Sequence, residues 1–302
     1  MRLPPGSGVS PSPGVAGAWT RGVQLLLATL FMALRSFYFG LLRLAGKPVP
    51  WTLATLMYHT VEPGEDRKFS RQMALLKRRA LVVGADFDEA EAVPAGHHVA
   101  VTFDDGFESF RLRVVPVLRE RGVPATVFLT TDHLGTLPMW IDDSAKRGAG
   151  ERLMGEREIR EILAEDVVDI GSHSASHARL TRSALDENTI RHELEGSRRI
   201  LEDKFGRTVT LFALPFGVFD EDVLRLAGEA GYRRVFLSTP LGTARDLCGN
   251  VAGRIAASPA ESLFAIWLKA MGAYQYLPFA ITAKARLLRR MRRSPKGNPR
   301  TR

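Results

Sequence analysis

Short apolar runs alternate with longer amphipathic stretches through most of the chain. The apolar runs at 52–59 and 125–130 predict buried strands, and the stretches with helical periodicity between them predict helices. This order of strand and helix predicts parallel βα units, with the functional residues after the strand ends. The other predicted strands are 99–103, 167–170, 209–213 and 232–237, and the predicted helices are 110–121, 156–163, 186–205 and 220–230.

The N-terminal segment departs from this pattern. Residues 1–20 are rich in Pro, Gly and Ser and predict disorder, whereas residues 21–47 are apolar and predict a helix. The charge-free run 22–34 is shorter than the ~20 residues of a spanning helix, and Arg35 and Arg43 fall near one side. We therefore predict a helix in the membrane interface. A spanning helix, a cleaved signal peptide and a helix packed on the core are the alternatives.

The C-terminal segment, residues 258–302, predicts an amphipathic helix followed by a polybasic tail. Ser258, Pro259 and Glu261 form a predicted N-cap, first-turn proline and capping-box acid. An apolar stretch follows, and then the basic sequence KARLLRRMRR. Such a pattern is typical of attachment to anionic lipid, with nucleic-acid binding by the tail as the alternative.

Charge is distributed unevenly along the 302 residues. The net charge is +9, yet residues 1–61 and 262–302 hold 5 and 10 basic residues and no acidic residue. The middle of the chain is therefore net negative, which argues against a general nucleic-acid-binding surface. Cys248 is the single cysteine, so no disulfide forms within the chain.

Two acidic residues end the predicted strand 99–103. Asp104 and Asp105 precede Gly106 in the sequence TFDDG, and adjacent carboxylates in a cleft need a compensating cation. A solvated turn is the simpler interpretation of this motif alone. The predicted strand 167–170 is ended by Gly171 and followed by His173 and His177, a spacing that brings two imidazoles to one side.

Together the two motifs indicate a metal site, although a histidine pair in a Ser-rich loop is often only solvated. One carboxylate and two histidines form a facial ligand set that suits a catalytic divalent ion such as zinc. The second carboxylate remains available for proton transfer.

With these motifs in this order, the sequence resembles the NodB-homology polysaccharide deacetylases, carbohydrate esterase family four. The resemblance covers roughly residues 56–256 and is closest to the poly-N-acetylglucosamine deacetylase type. It implies an α/β fold, a distorted and incomplete (β/α) barrel of about seven strands, here occupying residues 51–257 with helical appendages at both ends. It also implies that Asp105, His173 and His177 bind the metal and that Asp104 is the general base.

The third family motif departs from its usual form. Ala213 stands where the family has Arg, while Pro215, Phe216 and Gly217 keep the rest of the motif, and we expect a backbone amide near Phe216 to hold the oxyanion. Arg254 is the candidate to orient Asp104 in place of the missing Arg, with an ordinary surface Arg as the alternative.

The general acid is assigned by the resemblance. A similar Tyr-His pair ends the first strand of poly-N-acetylglucosamine deacetylases and supplies their acid, which points to His59 here, although a lone His is usually structural. No late LxH motif competes for this role, because no His follows His192. In the long connection 132–143, Trp140 is a candidate for stacking on a sugar ring, or equally a packing residue.

These observations predict a metal-dependent hydrolase that removes N-acetyl groups from an amino-sugar glycan. The alternatives are an O-acetyl esterase of the same fold and a non-catalytic glycan-binding relative. The expected partners are an N-acetylated glycan and an anionic membrane surface, without nucleic acid or an obligate protein partner. We expect association with the membrane in a bacterial cell envelope. Basic residues flank the apolar stretch equally, so they favour neither membrane face.

Overall fold

The computed structural model describes residues 18–141, 143, 146–240 and 251–275. The predicted disordered segment, apart from its last three residues, and the polybasic tail lie outside these ranges. Cys248 also lies outside them.

A curled parallel sheet forms the centre of the molecule. Its strand order is β8-β7-β6-β5-β4-β3-β1-β9, and β2 pairs with the first half of β3. Every strand pairing in it is parallel. The strands are β1 Thr52–Tyr58, β2 Leu81–Val83, β3 His97–Phe103, β4 Ala125–Leu129, β5 Val168–Ser172, β6 Leu211–Ala213, β7 Arg234–Phe236, β8 Val251–Ala252 and β9 Ile255–Ala256.

Helices connect and cover these strands. Their apolar faces and the sheet share a main core, whose members include Leu56, Phe103 and Val127, each with no exposed surface. The helices are α1 Ala18–Leu44, α2 Asp66–Arg79, α3 Val115–Arg121, α4 Glu156–Ile162, α5 Glu187–Arg191, α6 Ser197–Phe205, α7 Glu221–Glu229 and α8 Leu263–Ala270. π-Helical turns at Phe110–Val114 and His192–Gly196 lead into α3 and α6.

The predicted fold class is confirmed as a distorted, incomplete (β/α) barrel. The expected seven strands become nine, and β2, β8 and β9, which have only two or three residues each, lie outside the predicted strands. The predicted strand end at Gly171 is wrong, since β5 continues through Ser172. Gly171 is instead required by close packing, because a Cβ there would overlap the ring of Phe128.

The start of the C-terminal helix also differs from the prediction. The N-cap of α8 is Ser262, which accepts a hydrogen bond from the Ala265 N–H, and Ser258 lies in the preceding turn. Ile266 and Leu268 are fully buried, so α8 packs on the barrel with its apolar face inward. Lys269 is nearly buried as well and binds the Glu261 carboxylate.

The N-terminal helix α1 is longer than its charge-free run suggests. The stretch Gly22–Leu44 is, by length and composition alone, able to cross a membrane. One side of α1 nevertheless contacts the barrel: Ala28 is fully buried, and the Arg35 guanidinium donates a hydrogen bond to the Met271 carbonyl that follows α8.

Candidate metal centre and active site

The predicted site residues lie where the parallel strands end. The Asp104 N–H donates to the Tyr58 carbonyl (3.0 Å), and the His173 N–H donates to the Leu129 carbonyl (2.8 Å). These bonds continue the pairing of β3 with β1 and of β5 with β4. They hold the loops after β3 and β5 at the same edge of the sheet.

Asp105, His173 and His177 form a buried cluster at this edge. One potential ligand atom from each residue lies within 4.8 Å of the others. The Oδ1 atom of Asp105 is 3.3 Å from Nε2 of His177 and 3.6 Å from Nε2 of His173. Asp105 Oδ1 has no hydrogen-bond partner among the described residues although it is buried. A carboxylate and two imidazoles aimed at one point, with an unsatisfied buried oxygen, fit a divalent cation such as Zn²⁺.

His173 is held in the orientation that a ligand needs. Its Nδ1 donates a 2.7 Å hydrogen bond to the Ala213 carbonyl at the end of β6. A proton on Nδ1 leaves Nε2 unprotonated and facing Asp105, which is how proteins usually fix the tautomer of a metal-binding imidazole. The residue that replaces the family Arg thus contributes through its backbone.

The protonation states in the cluster suit ligation. Burial lowers the pKa of His173 to about 4, against the opposing effect of Asp104, so this imidazole is neutral at pH 7. Burial acts to raise the pKa of Asp105, but the nearby imidazole of His177, with the charges of His59 and His173, outweighs it. The resulting pKa of Asp105 is about 2, so the carboxylate is ionised.

Asp104 is paired with Arg254 in a bidentate ion pair. The guanidinium nitrogens lie 2.5 Å from Oδ1 and 2.8 Å from Oδ2. Arg254 has no exposed surface, which excludes the ordinary surface Arg, and its guanidinium lies 5.3 Å from the Phe128 ring centroid. Burial opposes ionisation of Asp104, yet the charge of Arg254 outweighs it and holds the pKa of Asp104 below its usual value.

His59 lies at the same edge, directly after β1. It is exposed, unlike the buried cluster, and its charge acts to lower the pKa of both Asp104 and Asp105. An exposed imidazole beside buried aspartates can exchange protons with solvent and with a bound substrate.

Aromatic rings enclose the cluster on its open side. Trp140 stacks on His177 with ring centroids 4.0 Å apart, and Phe216 meets His177 edge to face at 4.6 Å. The Arg179 guanidinium lies 4.4 Å above the Phe216 ring. Trp140 is half-buried, so it contacts the candidate ligand and still presents surface at the mouth of the site.

The backbone at the site carries unusual conformations. Four of the five non-glycine residues with positive φ in the described part of the chain are Asp105 (71°), Ser174 (68°), His177 (60°) and Phe216 (56°). Left-handed φ is unfavourable for such residues and concentrates at sites that the surrounding structure holds rigidly. Pro215, next to Phe216, is buried and starts this tight turn.

Glu193 is a site residue that the sequence analysis missed. Its buried Oε2 accepts hydrogen bonds from the N–H groups of Ala175 and Ser176, each 2.9 Å long, and its Oε1 accepts one from Ser176 Oγ. These donors lie in the loop between His173 and His177. Within a highly charged helical segment, one acidic residue gives no signal of burial, so only the fold identifies it.

Comparison with known proteins shows which family has a similar sequence. The sequence profile described as polysaccharide deacetylase matches residues 92–235, which include both motifs of the cluster. The chain carries a polysaccharide deacetylase domain. The expected resemblance is confirmed, and polysaccharide deacetylases are hydrolases by class. His59 and Arg254 lie outside the matched residues, so their places in the site come from the structure.

Individual relatives are distant in sequence. The chain is 24% identical to YxkH of Bacillus subtilis over 74% of this chain and 78% of that protein. It is also 24% identical to a Staphylococcus aureus protein named poly-beta-1,6-N-acetyl-D-glucosamine N-deacetylase, over 46% of this chain and 47% of that one. The aligned stretch thus spans about half the length of the staphylococcal relative.

Solved structures share the fold. IcaB from Ammonifex degensii superposes with a TM-score of 0.61 at 21% identity, covering 75% of this chain and 98% of that chain. The Streptococcus pyogenes deacetylase PplD superposes with a TM-score of 0.57 at 18% identity, covering 74% and 98%.

Proposed function

We propose that the chain is a metal-dependent N-deacetylase of an amino-sugar glycan. The single observation that carries this proposal is the cluster of Asp105, His173 and His177 beside the Asp104–Arg254 pair. Ligands and an ionised base meeting at one edge of the sheet provide the groups that amide hydrolysis needs. The staphylococcal relative's name supports an N-acetylglucosamine polymer as substrate.

Asp105, His173 and His177 would hold one divalent ion, with zinc as our first candidate. A bound ion of this kind polarises a carbonyl oxygen and lowers the pKa of water toward ~7. Asp104, ionised and oriented by Arg254, accepts the proton of the attacking water. His59 gives a proton to the departing sugar amine, so the amide C–N bond breaks and acetate and a free amine result.

The remaining site residues would bind and position the substrate. The ring of Phe216, which follows Pro215, contacts the His177 ring, and we expect a backbone N–H near Phe216 to stabilise the developing oxyanion. Trp140 presents an aromatic surface at the same point, and such surfaces pack well against sugar rings.

A non-catalytic glycan-binding protein is the competing function, suggested by the loss of the family Arg at 213. The buried Arg254 on Asp104 argues against decay of the site, because a charge pair without function would be costly to keep buried.

The test is release of acetate from N-acetylglucosamine oligomers by the zinc-loaded protein. We expect turnover that a chelator abolishes, no turnover by Asp104→Asn with zinc affinity kept, and full turnover by Asp132→Asn, an exposed acid nearby. Glycan binding without acetate release would show a binding protein. Faster release from O-acetyl esters than from amides would show an esterase. Full, chelator-resistant activity in a variant that lacks Asp105 would refute the metal site.

A further inference from the structure

The outer side of α1 is a continuous apolar surface. Nine of its large apolar side chains are exposed, at spacings of three and four residues that place them on one face. We name this face the α1 stripe, and it includes Leu26, Leu30, Leu34, Phe37, Leu41 and Leu44, which are between 47% and 87% exposed. A patch of this kind on a soluble protein marks an interaction surface.

The opposite side of α1 is occupied by the barrel. Ala28 is fully buried, Leu25 and Met32 pack against the core, and Arg35 binds the Met271 carbonyl. Ala28 and Arg35 both lie within the stretch that could cross a membrane by its length. A spanning helix would carry these residues into hydrocarbon and away from the barrel, so the contacts favour a helix lying along a surface.

The charge near the α1 stripe indicates what kind of surface it binds. Residues 1–61 contain five basic residues and no acidic one. The chain leaves the described structure after Gln275, whose side chain donates to the Leu53 carbonyl near the start of β1. The residues after Gln275 contain nine Lys and Arg and no acid, and Arg43 and Lys47 lie between the apolar part of α1 and the start of β1. Basic segments therefore connect to the barrel at the end where the strands begin, both before β1 and after Gln275. An apolar stripe flanked by cations matches an anionic lipid bilayer.

The site lies at the other end of the strands. Thr52 and His97, at the starts of β1 and β3, are joined by a hydrogen bond, whereas His59 and Asp105 follow the ends of those strands. β1 and β3 have seven residues each, so about 20 Å of strand separates the two ends.

We propose that the α1 stripe lies flat on an anionic bilayer and that the mouth of the barrel faces away from the lipid. The enzyme then takes glycan that extends beyond the membrane surface, and it excludes the sugar next to a lipid anchor. The substrate part of this inference rests on the proposed function.

Vesicle flotation of the full chain tests the surface. The variant Leu30→Glu/Leu34→Glu changes the stripe, and Leu81→Glu/Val93→Glu makes the same charge change at two exposed apolar residues elsewhere. We expect the wild-type chain to bind phosphatidylcholine–phosphatidylglycerol vesicles and to bind phosphatidylcholine vesicles more weakly. The stripe variant should bind the mixed vesicles at least tenfold more weakly, and the control variant should bind them as the wild type does. Absence of vesicle binding, or equal effects of both variants, would overturn the proposal.

Spin labels test the orientation, on the chain with Cys248→Ser. Labels at Val23, Leu34 and Leu44 should report equal depth in the lipid, and a label at Met139, which is 79% exposed beside Trp140, should stay in water. A depth that rises and falls along α1 would show a spanning helix, and lipid contact at 139 would show a site facing the membrane. Both results would overturn the proposal.

Activity on soluble N-acetylglucosamine oligomers separates this proposal from the proposed function. The stripe variant should keep that activity, because its changes are remote from the site. If the wild-type protein binds vesicles but releases no acetate, the proposed function fails and the membrane orientation stands. If it releases acetate but binds no vesicles, only the orientation fails.

Discussion

Arg254 shows how one buried side chain sets the state of another. Its guanidinium contacts both carboxylate oxygens of Asp104 and lies 5.3 Å and 5.8 Å from the ring centroids of Phe128 and Phe236. The ring faces and the planar carboxylate favour Arg over Lys at this position. The family Arg is missing at Ala213, and Arg254, which lies between β8 and β9, places a guanidinium charge on Asp104.

Replacing Arg254 should weaken the proposed base. Arg254→Met removes the charge that lowers the pKa of Asp104, so that pKa rises and the acidic limb of the rate profile moves to higher pH. We expect the rate at pH 7 to fall about 10²-fold or more. The measurement is kcat/KM against pH with the zinc-loaded enzyme. The highly exposed Arg157→Met is the control, and equal effects of the two variants would reject the role of Arg254.

Glu193 fixes the loop that carries both histidines. Glu193→Ala leaves the buried N–H of Ala175 and the partly buried N–H of Ser176 without their acceptor, so we expect metal affinity to fall about 10- to 100-fold. Glu193→Gln keeps an acceptor oxygen and should restore most of the affinity. Competition with a chromophoric chelator measures this. Glu195→Ala is the control, because Glu195 lies in the same helical turn and binds Arg191 and Arg199. An equal loss of metal affinity in this variant would contradict our explanation.

At the scale of elements, helix starts and irregular turns position these residues. The π-helical turn His192–Gly196 inserts one extra residue in the helix, and it places Glu193 under the histidine loop. In the first turn of α4, the Glu158 carboxylate accepts hydrogen bonds from the Gly155 N–H and from Arg152, each 2.8 Å long. This start fixes the chain segment that pairs with Phe107, just after the Asp-Asp motif.

The start of α4 should make stability depend on pH. The hydrogen bond and charge of Arg152 lower the pKa of Glu158 from about 4.5 to about 2. This stabilisation is therefore full above the unfolded pKa and is lost as pH falls through the folded one. We expect Glu158→Gln to lower the free energy of unfolding by about 1.5–3 kcal/mol at pH 7.

Denaturant unfolding at several pH values measures this difference. The gap between wild type and variant should shrink as pH falls from about 4.5 toward 2. Glu120→Gln, at a mostly exposed acid, is the control and should change little. A gap that stays constant across this range would contradict the linkage.

For the whole molecule, a bound ion would join two separate loops. Asp105 follows β3 and His173 follows β5, so metal should stabilise the fold as any ligand of the native state does, by about 2.7 kcal/mol at a hundredfold excess over Kd. We expect zinc to raise the Tm and a chelator to reverse the increase. His177→Ala should lose the zinc effect and His192→Ala should keep it. A zinc effect that survives loss of His177 would place the ion elsewhere.

The sequence by itself determined the alternation of strands and helices and the residues of the candidate centre. Local hydrophobic period specifies a strand or a helix, and the Asp-Asp and His-x-x-x-His motifs are contiguous in the chain. The short strands β2, β8 and β9 were not predictable in this way, because only their partner strands define them.

The tertiary structure decided which distant side chains meet. Asp104 and Arg254 are 150 positions apart in the sequence. They meet because β9 pairs with β1, and no local sequence pattern predicts that pairing. Glu193 and the carbonyl of Ala213 reach the histidines in the same way, through pairing and packing of remote segments. The candidate ligands and the base lie in short motifs that the sequence shows directly. The orientation of their side chains depends on contacts that exist only in the folded chain.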